Sequence, residues 1–206
     1  MTEIPHTSGT PSDDSPVVRI AQGDLRGRHR RGVQLFAGIP YAAPPTGPRR
    51  FRAPEPAQPW DGIRDARRFG PAAPQLPGEG LTNQIPVPWD EDCLTLNVVT
   101  PSCEPSELDG ALRPVYVWIH GGAYKHGQGS TPWYDGTSFA ARGDVVVVTI
   151  NYRLGALGFC NLGSHLGDDF ATCGINGTLD QIAAVKWVRE NVAAFGGDPD
   201  RITIGG

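Results

Sequence analysis

The run at residues 145–150, Val-Val-Val-Val-Thr-Ile, is the feature that most limits how this chain can fold. Every residue in it is β-branched, which favours a strand. A strand without a polar face has to be covered on both sides of its sheet. Residues 115–119 (Val-Tyr-Val-Trp-Ile) form a second such run, and residues 94–99 read as a further strand. The chain therefore needs helices layered on a central sheet.

A helix is predicted between residue 178 and the glycine pair at 196–197. Apolar residues recur there at helical spacing, and Thr178 with Gln181 matches a capping box that would start the helix. Gly196 and Gly197 would stop it, and a further strand begins at residues 201–204. With short strands at 17–20 and 33–36, the pattern predicts an α/β fold. We expect small antiparallel N-terminal strands leading into a mixed, mostly parallel sheet with helices.

The net charge and the lengths of the apolar runs exclude several classes of function. The net charge of -4 over 206 residues leaves no basic surface for nucleic acid. No apolar run approaches the roughly 20 residues of a membrane span. Residues 1–16 lack the apolar segment of a signal peptide. We expect them to form a disordered leader before one domain at 17–206, and we expect a cytoplasmic protein; nothing indicates an oligomeric state.

The cysteines do not indicate a metal or redox site. Their spacing contains no Cys-x-x-Cys pair, so we interpret them as small buried residues or free thiols. An even number also leaves a secreted disulfide framework open. The four are Cys93, Cys103, Cys160 and Cys173.

A glycine loop directly follows the run at 115–119. Residues 120–124 read His-Gly-Gly-Ala-Tyr, and consecutive glycines at a strand end predict a tight loop. Glycine leaves its amide N–H unobstructed, and amides aimed at one point stabilise the oxyanion of acyl transfer. The loop is typical of one half of an esterase oxyanion hole.

Seven segments together resemble one protein family. The chain is similar to the N-terminal part of type-B carboxylesterases, the carboxylesterase/cholinesterase branch of the α/β-hydrolases, and most to bacterial para-nitrobenzyl-esterase-type members. The resemblance covers about residues 17–206. Its segments are Phe-Ala-Gly-Ile-Pro-Tyr-Ala at 36–42, Arg-Phe at 50–51, Glu-Asp-Cys-Leu-Thr-Leu-Asn-Val at 91–98, the loop at 120–124, Asn-Tyr-Arg-Leu-Gly at 151–155, Leu-Asp-Gln at 179–181 and Phe-Gly-Gly-Asp-Pro at 195–199.

The resemblance implies a serine hydrolase that acts on small-molecule carboxylic esters through a Ser-Glu-His triad, without cofactor or metal. Gly122 and Ala123 would supply the oxyanion amides, and Gly121 would shape the turn. Secreted relatives pair a cysteine with the one matching Cys93, but this chain has Ala73 at the partner position. That departure favours a reducing compartment.

Two ion pairs are also implied by the resemblance. They are Arg50 with Glu91 and Arg153 with Asp180, and both are interpreted as structural. Trp133 and Tyr134 are candidate substrate-pocket residues, whereas Trp118 is equally well explained by core packing.

By the same resemblance, Gly206 would be the first glycine of the nucleophile elbow, so the triad residues would follow it. We therefore expect the 206-residue chain to lack triad-based hydrolysis. Two alternatives stay open: a non-catalytic cholinesterase-like adhesion protein, or a non-functional truncated product. Ser138 mimics the elbow pattern but follows no strand, and His120 is expected to shape the loop rather than act as a base.

Overall fold

The computed structural model describes residues 14–76 and 88–206. Most of the predicted leader, residues 1–13, lies outside the described residues. The described part forms two sheets and four α-helices.

The smaller sheet contains three strands: β1 (Val17–Ile20), β2 (Gly23–Arg26) and β5 (Ile63–Asp65). The first two form an antiparallel hairpin, with Val18 paired to Leu25. The strand at 17–20 was predicted, whereas the other predicted N-terminal strand, at 33–36, lies in the larger sheet. Strand β5 pairs parallel with β2. It comes from a proline- and glycine-rich stretch in which no strand was predicted, because its three exposed residues carry no apolar alternation.

The larger sheet is mixed, as predicted. Its β7 (Arg113–Ile119) lies parallel to both β8 (Val146–Ile150) and β9 (Gly197–Gly205), whereas the other three pairings are antiparallel. More of the strand pairs are antiparallel than the predicted mostly parallel sheet would have, because an apolar run does not reveal the direction of its strand. In spatial order the strands are β3 (Arg28–Arg30), β4 (Val33–Pro40), β6 (Thr95–Thr100), β8 (Val146–Ile150), β7 (Arg113–Ile119) and β9 (Gly197–Gly205).

Strand β8 is buried along its whole length, which confirms the interpretation of the β-branched run. On one face Val146 and Val148 belong to the main core together with Trp187 and Val188 of the long helix. On the other face Val147 packs with Ala140. The sheet is therefore covered on both sides at this strand.

The long helix α4 (Asn176–Asn191) continues as a 3-10 turn, Val192–Phe195, and ends at Gly196 in the left-handed conformation. The predicted capping box is wrong, because Thr178 lies inside the helix and the N-cap position is Ile175, which makes no side-chain cap bond. A 3-10 turn, Cys173–Ile175, leads directly into the helix and replaces the capping residue.

Three shorter helices were not predicted: α1 (Thr137–Gly143), α2 (Gly155–Phe159) and α3 (Gly163–Leu166). With four to seven residues each, they are too short to show helical periodicity in the sequence. Helix α1 packs against β4, β6 and β8. Among the described residues, no helix has the length and apolar character needed to cross a membrane.

Candidate functional site

The ends of two parallel strands define the candidate site. Trp118 of β7 pairs with Gly205 of β9, so both strands finish at the same edge of the sheet. Gly206 lies so close to Ile119 that a Cβ at residue 206 would collide with the Ile119 carbonyl oxygen. The end of β9 therefore lies beside the glycine loop that follows Ile119.

The loop itself has an unusual backbone. Gly122, Ala123 and Tyr124 have φ angles of 128°, 52° and 60°, and a non-glycine residue in the left-handed region costs about 1–2 kcal/mol. A Cβ at Gly122 would collide with the His126 carbonyl, so only glycine fits there. Consecutive outliers of this kind concentrate at functional sites.

Among the described residues, the N–H groups of residues 121–124 have no acceptor, and those of Gly122 and Ala123 are two of them. The Gly122 carbonyl instead accepts from Lys125 at 3.0 Å, and the Tyr124 carbonyl accepts from Gly155 at 2.7 Å. The loop is thus held through its carbonyl groups, while both N–H groups remain available to a ligand.

His120 supports the start of the loop. Its ring is 2% exposed, stacks on Tyr152 at 4.5 Å, and places Nδ1 3.0 Å from the Gly121 carbonyl oxygen. Burial lowers the pKa of His120 to about 4. The imidazole is therefore neutral at pH 7, and its Nδ1–H donates to the carbonyl. These contacts describe a residue that shapes the loop.

Three consecutive residues after β8 connect the site to the rest of the fold. Asn151 accepts from the Gly129 N–H at 2.7 Å. The Tyr152 hydroxyl donates to the His120 carbonyl at 2.8 Å. Arg153 pairs with Asp180 of α4. The resemblance indicated the partner of Arg153, but the sequence gave no sign of the partners of Asn151 and Tyr152.

Both predicted ion pairs are formed, in very different surroundings. Arg153 and Asp180 side chains are 3% and 0% exposed. Two guanidinium bonds of 2.8 and 2.7 Å and a backbone bond of 3.1 Å join them. Burial raises the pKa of Asp180, against the opposing effect of these bonds. Arg50 and Glu91 are 44% and 30% exposed, and the hydrogen bond to Glu91 raises the pKa of Arg50.

The two candidate pocket residues lie in one depression, away from the loop. Trp133 is 69% exposed, and Tyr134 contacts Trp118 with ring centroids 5.1 Å apart. They line a pocket of about 450 Å³ with Tyr116 and Phe139 on the α1 side of β7. Among the described residues that line this pocket, none belongs to the loop at 120–124.

Neither Ser138 nor Ser130 has the surroundings of a nucleophile. Ser138 is exposed in α1, which follows a turn and not a strand. The Ser130 hydroxyl donates to Gln128 at 3.0 Å. In the part of the chain that the structure describes, neither serine bonds a histidine, and no cluster of three or more metal-ligating side chains occurs.

Comparisons with known proteins agree on one group. A sequence model described as "Carboxylesterase family" matches residues 14–206. The chain is 46% identical over 195 residues to phenmedipham hydrolase of Pseudarthrobacter oxydans, covering 93% of this chain and 37% of that protein. It is 47% identical over 193 residues to para-nitrobenzyl esterase of Bacillus subtilis, covering 92% of this chain and 37% of that protein.

A solved structure shows the same correspondence. The crystal structure of a Geobacillus stearothermophilus carboxylesterase superposes with a TM-score of 0.82 at 52% identity, covering 91% of this chain and 36% of the other. The chain thus spans about 37% of the length of the curated relatives named above.

Proposed function

Because the chain belongs to the carboxylesterase family, we propose that it is the oxyanion-binding part of a serine carboxylic ester hydrolase. The Gly122 and Ala123 N–H groups would hold the oxyanion, and Gly121 would shape the turn. The observation that carries the proposal is the row of loop N–H groups without an acceptor in the described chain, which includes those of Gly122 and Ala123 at the end of β7.

The chemistry follows from this placement. A serine hydroxyl attacks the ester carbonyl, and the negative charge that develops on the carbonyl oxygen is stabilised by the two amides. The alcohol leaves, and water then hydrolyses the acyl-enzyme through a second oxyanion at the same position. Removing one such donor typically lowers kcat by about 10²- to 10³-fold.

The position of β9 supports the same mechanism. In this family the nucleophile elbow follows the strand that corresponds to β9, and here that strand finishes beside the loop. An elbow after Gly206 would bring the backbone N–H after the serine towards the same point as Gly122 and Ala123. On this proposal the 206-residue chain alone does not turn over esters, because the triad would come from the residues after Gly206.

To test the proposal, the coding sequence beyond Gly206 is determined and the protein that it encodes, called the longer product, is expressed. Its activity is then compared with that of the 206-residue chain. We expect the longer product to hydrolyse para-nitrophenyl acetate and to be labelled by a serine-directed phosphonate two residues after Gly206. The 206-residue chain should give only background hydrolysis. A residue other than serine at that position would refute the hydrolase proposal and favour a binding protein.

The oxyanion assignment has a separate test on the longer product. A trifluoromethyl ketone forms a tetrahedral oxyanion adduct with a serine nucleophile. We expect it to shift the Gly122 and Ala123 amide proton resonances downfield. The Gly129 N–H is a matched control, because it already donates to Asn151 and should not shift. If the longer product hydrolyses esters but the amide proton resonances of residues 122 and 123 do not shift, the hydrolase proposal holds and the assignment of these amides to the oxyanion is refuted.

A further inference from the structure

The side-chain amide of Gln75 holds both backbone polar groups of one loop residue. The Gly127 N–H donates to Gln75 Oε1 at 2.8 Å, and Gln75 Nε2 donates to the Gly127 carbonyl at 2.9 Å. The same Nε2 also donates to the Ala73 carbonyl at 3.1 Å. Both amide protons therefore have acceptors, which fixes the orientation of the amide. The two residues are 52 positions apart in the chain.

Gly127 lies against the beginning of the candidate oxyanion loop. Its φ is +114°, and a Cβ there would collide with His120 Nδ1 and lie 2.5 Å from the Gly121 carbonyl oxygen. The preceding residue, His126, places its carbonyl against Gly122 just as closely. The returning limb of the loop, residues 126–127, is thus in direct contact with the residues that precede the two free amides.

The outgoing part of the loop is held through two carbonyls, since the Tyr152 hydroxyl donates to His120 and the Gly155 N–H donates to Tyr124. Ala123 and Tyr124 are exposed and adopt the left-handed backbone, which alanine and tyrosine disfavour. A loop of this kind relaxes unless its surroundings hold it. The two-point contact with Gln75 supplies such a restraint on the returning limb.

We infer that Gln75 is a positioning residue for the oxyanion amides, an inference that rests on the proposed function. By holding Gly127 it keeps residues 126–127 packed against Gly121 and Gly122, and so fixes the direction of the Gly122 and Ala123 N–H groups. Its effect is on the loop alone. The fold is supported elsewhere, by the core around β8 and α4.

The first test needs no catalysis and uses the 206-residue chain. Amide hydrogen exchange is measured for Gly127 and for Val148 in the core of β8, in Gln75→Ala and in a control, Gln34→Ala. Gln34 is also a half-buried glutamine, but it accepts from Cys103 at 2.9 Å. Two lost hydrogen bonds predict about a tenfold or greater loss of protection at Gly127 in Gln75→Ala. Protection at Val148 and in the control should not change.

The variant Gln75→Glu supplies a rescue that a general packing role would not show. An ionised glutamate cannot donate to the Gly127 carbonyl, whereas a protonated one can. An ionised glutamate still accepts the Gly127 N–H, so only the bond to the Gly127 carbonyl depends on protonation. Protection of Gly127, corrected for intrinsic exchange, should therefore be higher in Gln75→Glu than in Gln75→Ala at pH 7, and it should rise further in Gln75→Glu alone as the introduced carboxyl is protonated.

The second test measures ester hydrolysis by the longer product. We expect Gln75→Ala to lower kcat by about tenfold or more with KM changed less than twofold, because the oxyanion contact is made only in the transition state. Unchanged Gly127 protection, equal losses at Gly127 and Val148, or unchanged kcat would each overturn the inference. If the unaltered longer product is itself inactive, the proposed function fails, and the exchange data still decide whether Gln75 holds the loop.

Discussion

Acidification should destabilise the chain through His120. The ring is 2% exposed and neutral, and its pKa of about 4 lies well below the ordinary 6.5. Between these values the unfolded chain binds a proton that the folded chain does not. The free energy of unfolding therefore falls as the pH drops from 6.5 towards 4. At about 1.4 kcal/mol per pKa unit, the loss is about 3 kcal/mol.

The assay is urea unfolding at half-unit intervals from pH 7.5 to 4, followed by tryptophan fluorescence. The comparison is with His120→Asn, whose amide keeps a donor near the Gly121 carbonyl but does not titrate. We expect the variant to be less stable at pH 7 and its pH profile to be flatter by about 3 kcal/mol over this window. Acidic groups contribute equally to both proteins. Parallel profiles would show that His120 is not the buried neutral group described above.

Three further predictions use paired variants and the same urea assay at pH 7. Gly127→Ala should cost about 3 kcal/mol or more, because its Cβ would meet the loop. Gly32→Ala, with φ +81° but open space around it, should cost only about 1–2 kcal/mol; equal losses would contradict the packing argument. Asp180→Asn leaves its buried arginine unpaired and should cost about 3–5 kcal/mol, whereas Glu91→Gln on the exposed pair should cost less than about 1 kcal/mol; similar values would refute the distinction. Trp133→Ala should change stability by less than about 0.5 kcal/mol, since the side chain is 69% exposed, and a larger loss would mean that it supports the fold.

The sequence was informative where burial dominates. The β-branched run at 145–150 and the apolar run at 115–119 lie in β8 and β7, because only a strand covered on both faces suits such residues. Gly196 ended the long helical segment as expected. The predicted start of that helix was wrong, because a 3-10 turn precedes the helix and Thr178 lies inside it.

The candidate site was predicted only in part, for a related reason. The glycines at 121–122 indicate a loop by themselves, since their conformational freedom is local. The contact of Gln75 with Gly127 joins residues 52 positions apart, and no local pattern marks either partner. Trp133 and Tyr134 stay candidate substrate-pocket residues, and the pocket that they line lies against β7 and contains no residue of the loop at 120–124.

The left-handed backbone of Ala123 bears on how such a protein can be engineered. Replacing this alanine with glycine would relieve about 1 kcal/mol of conformational cost. A screen that selects for heat resistance would therefore reward the change. Glycine would also let the peptide swing through a wider range of angles. If the chain belongs to an ester hydrolase as proposed, selection for thermostability and selection for turnover would favour different residues at this position.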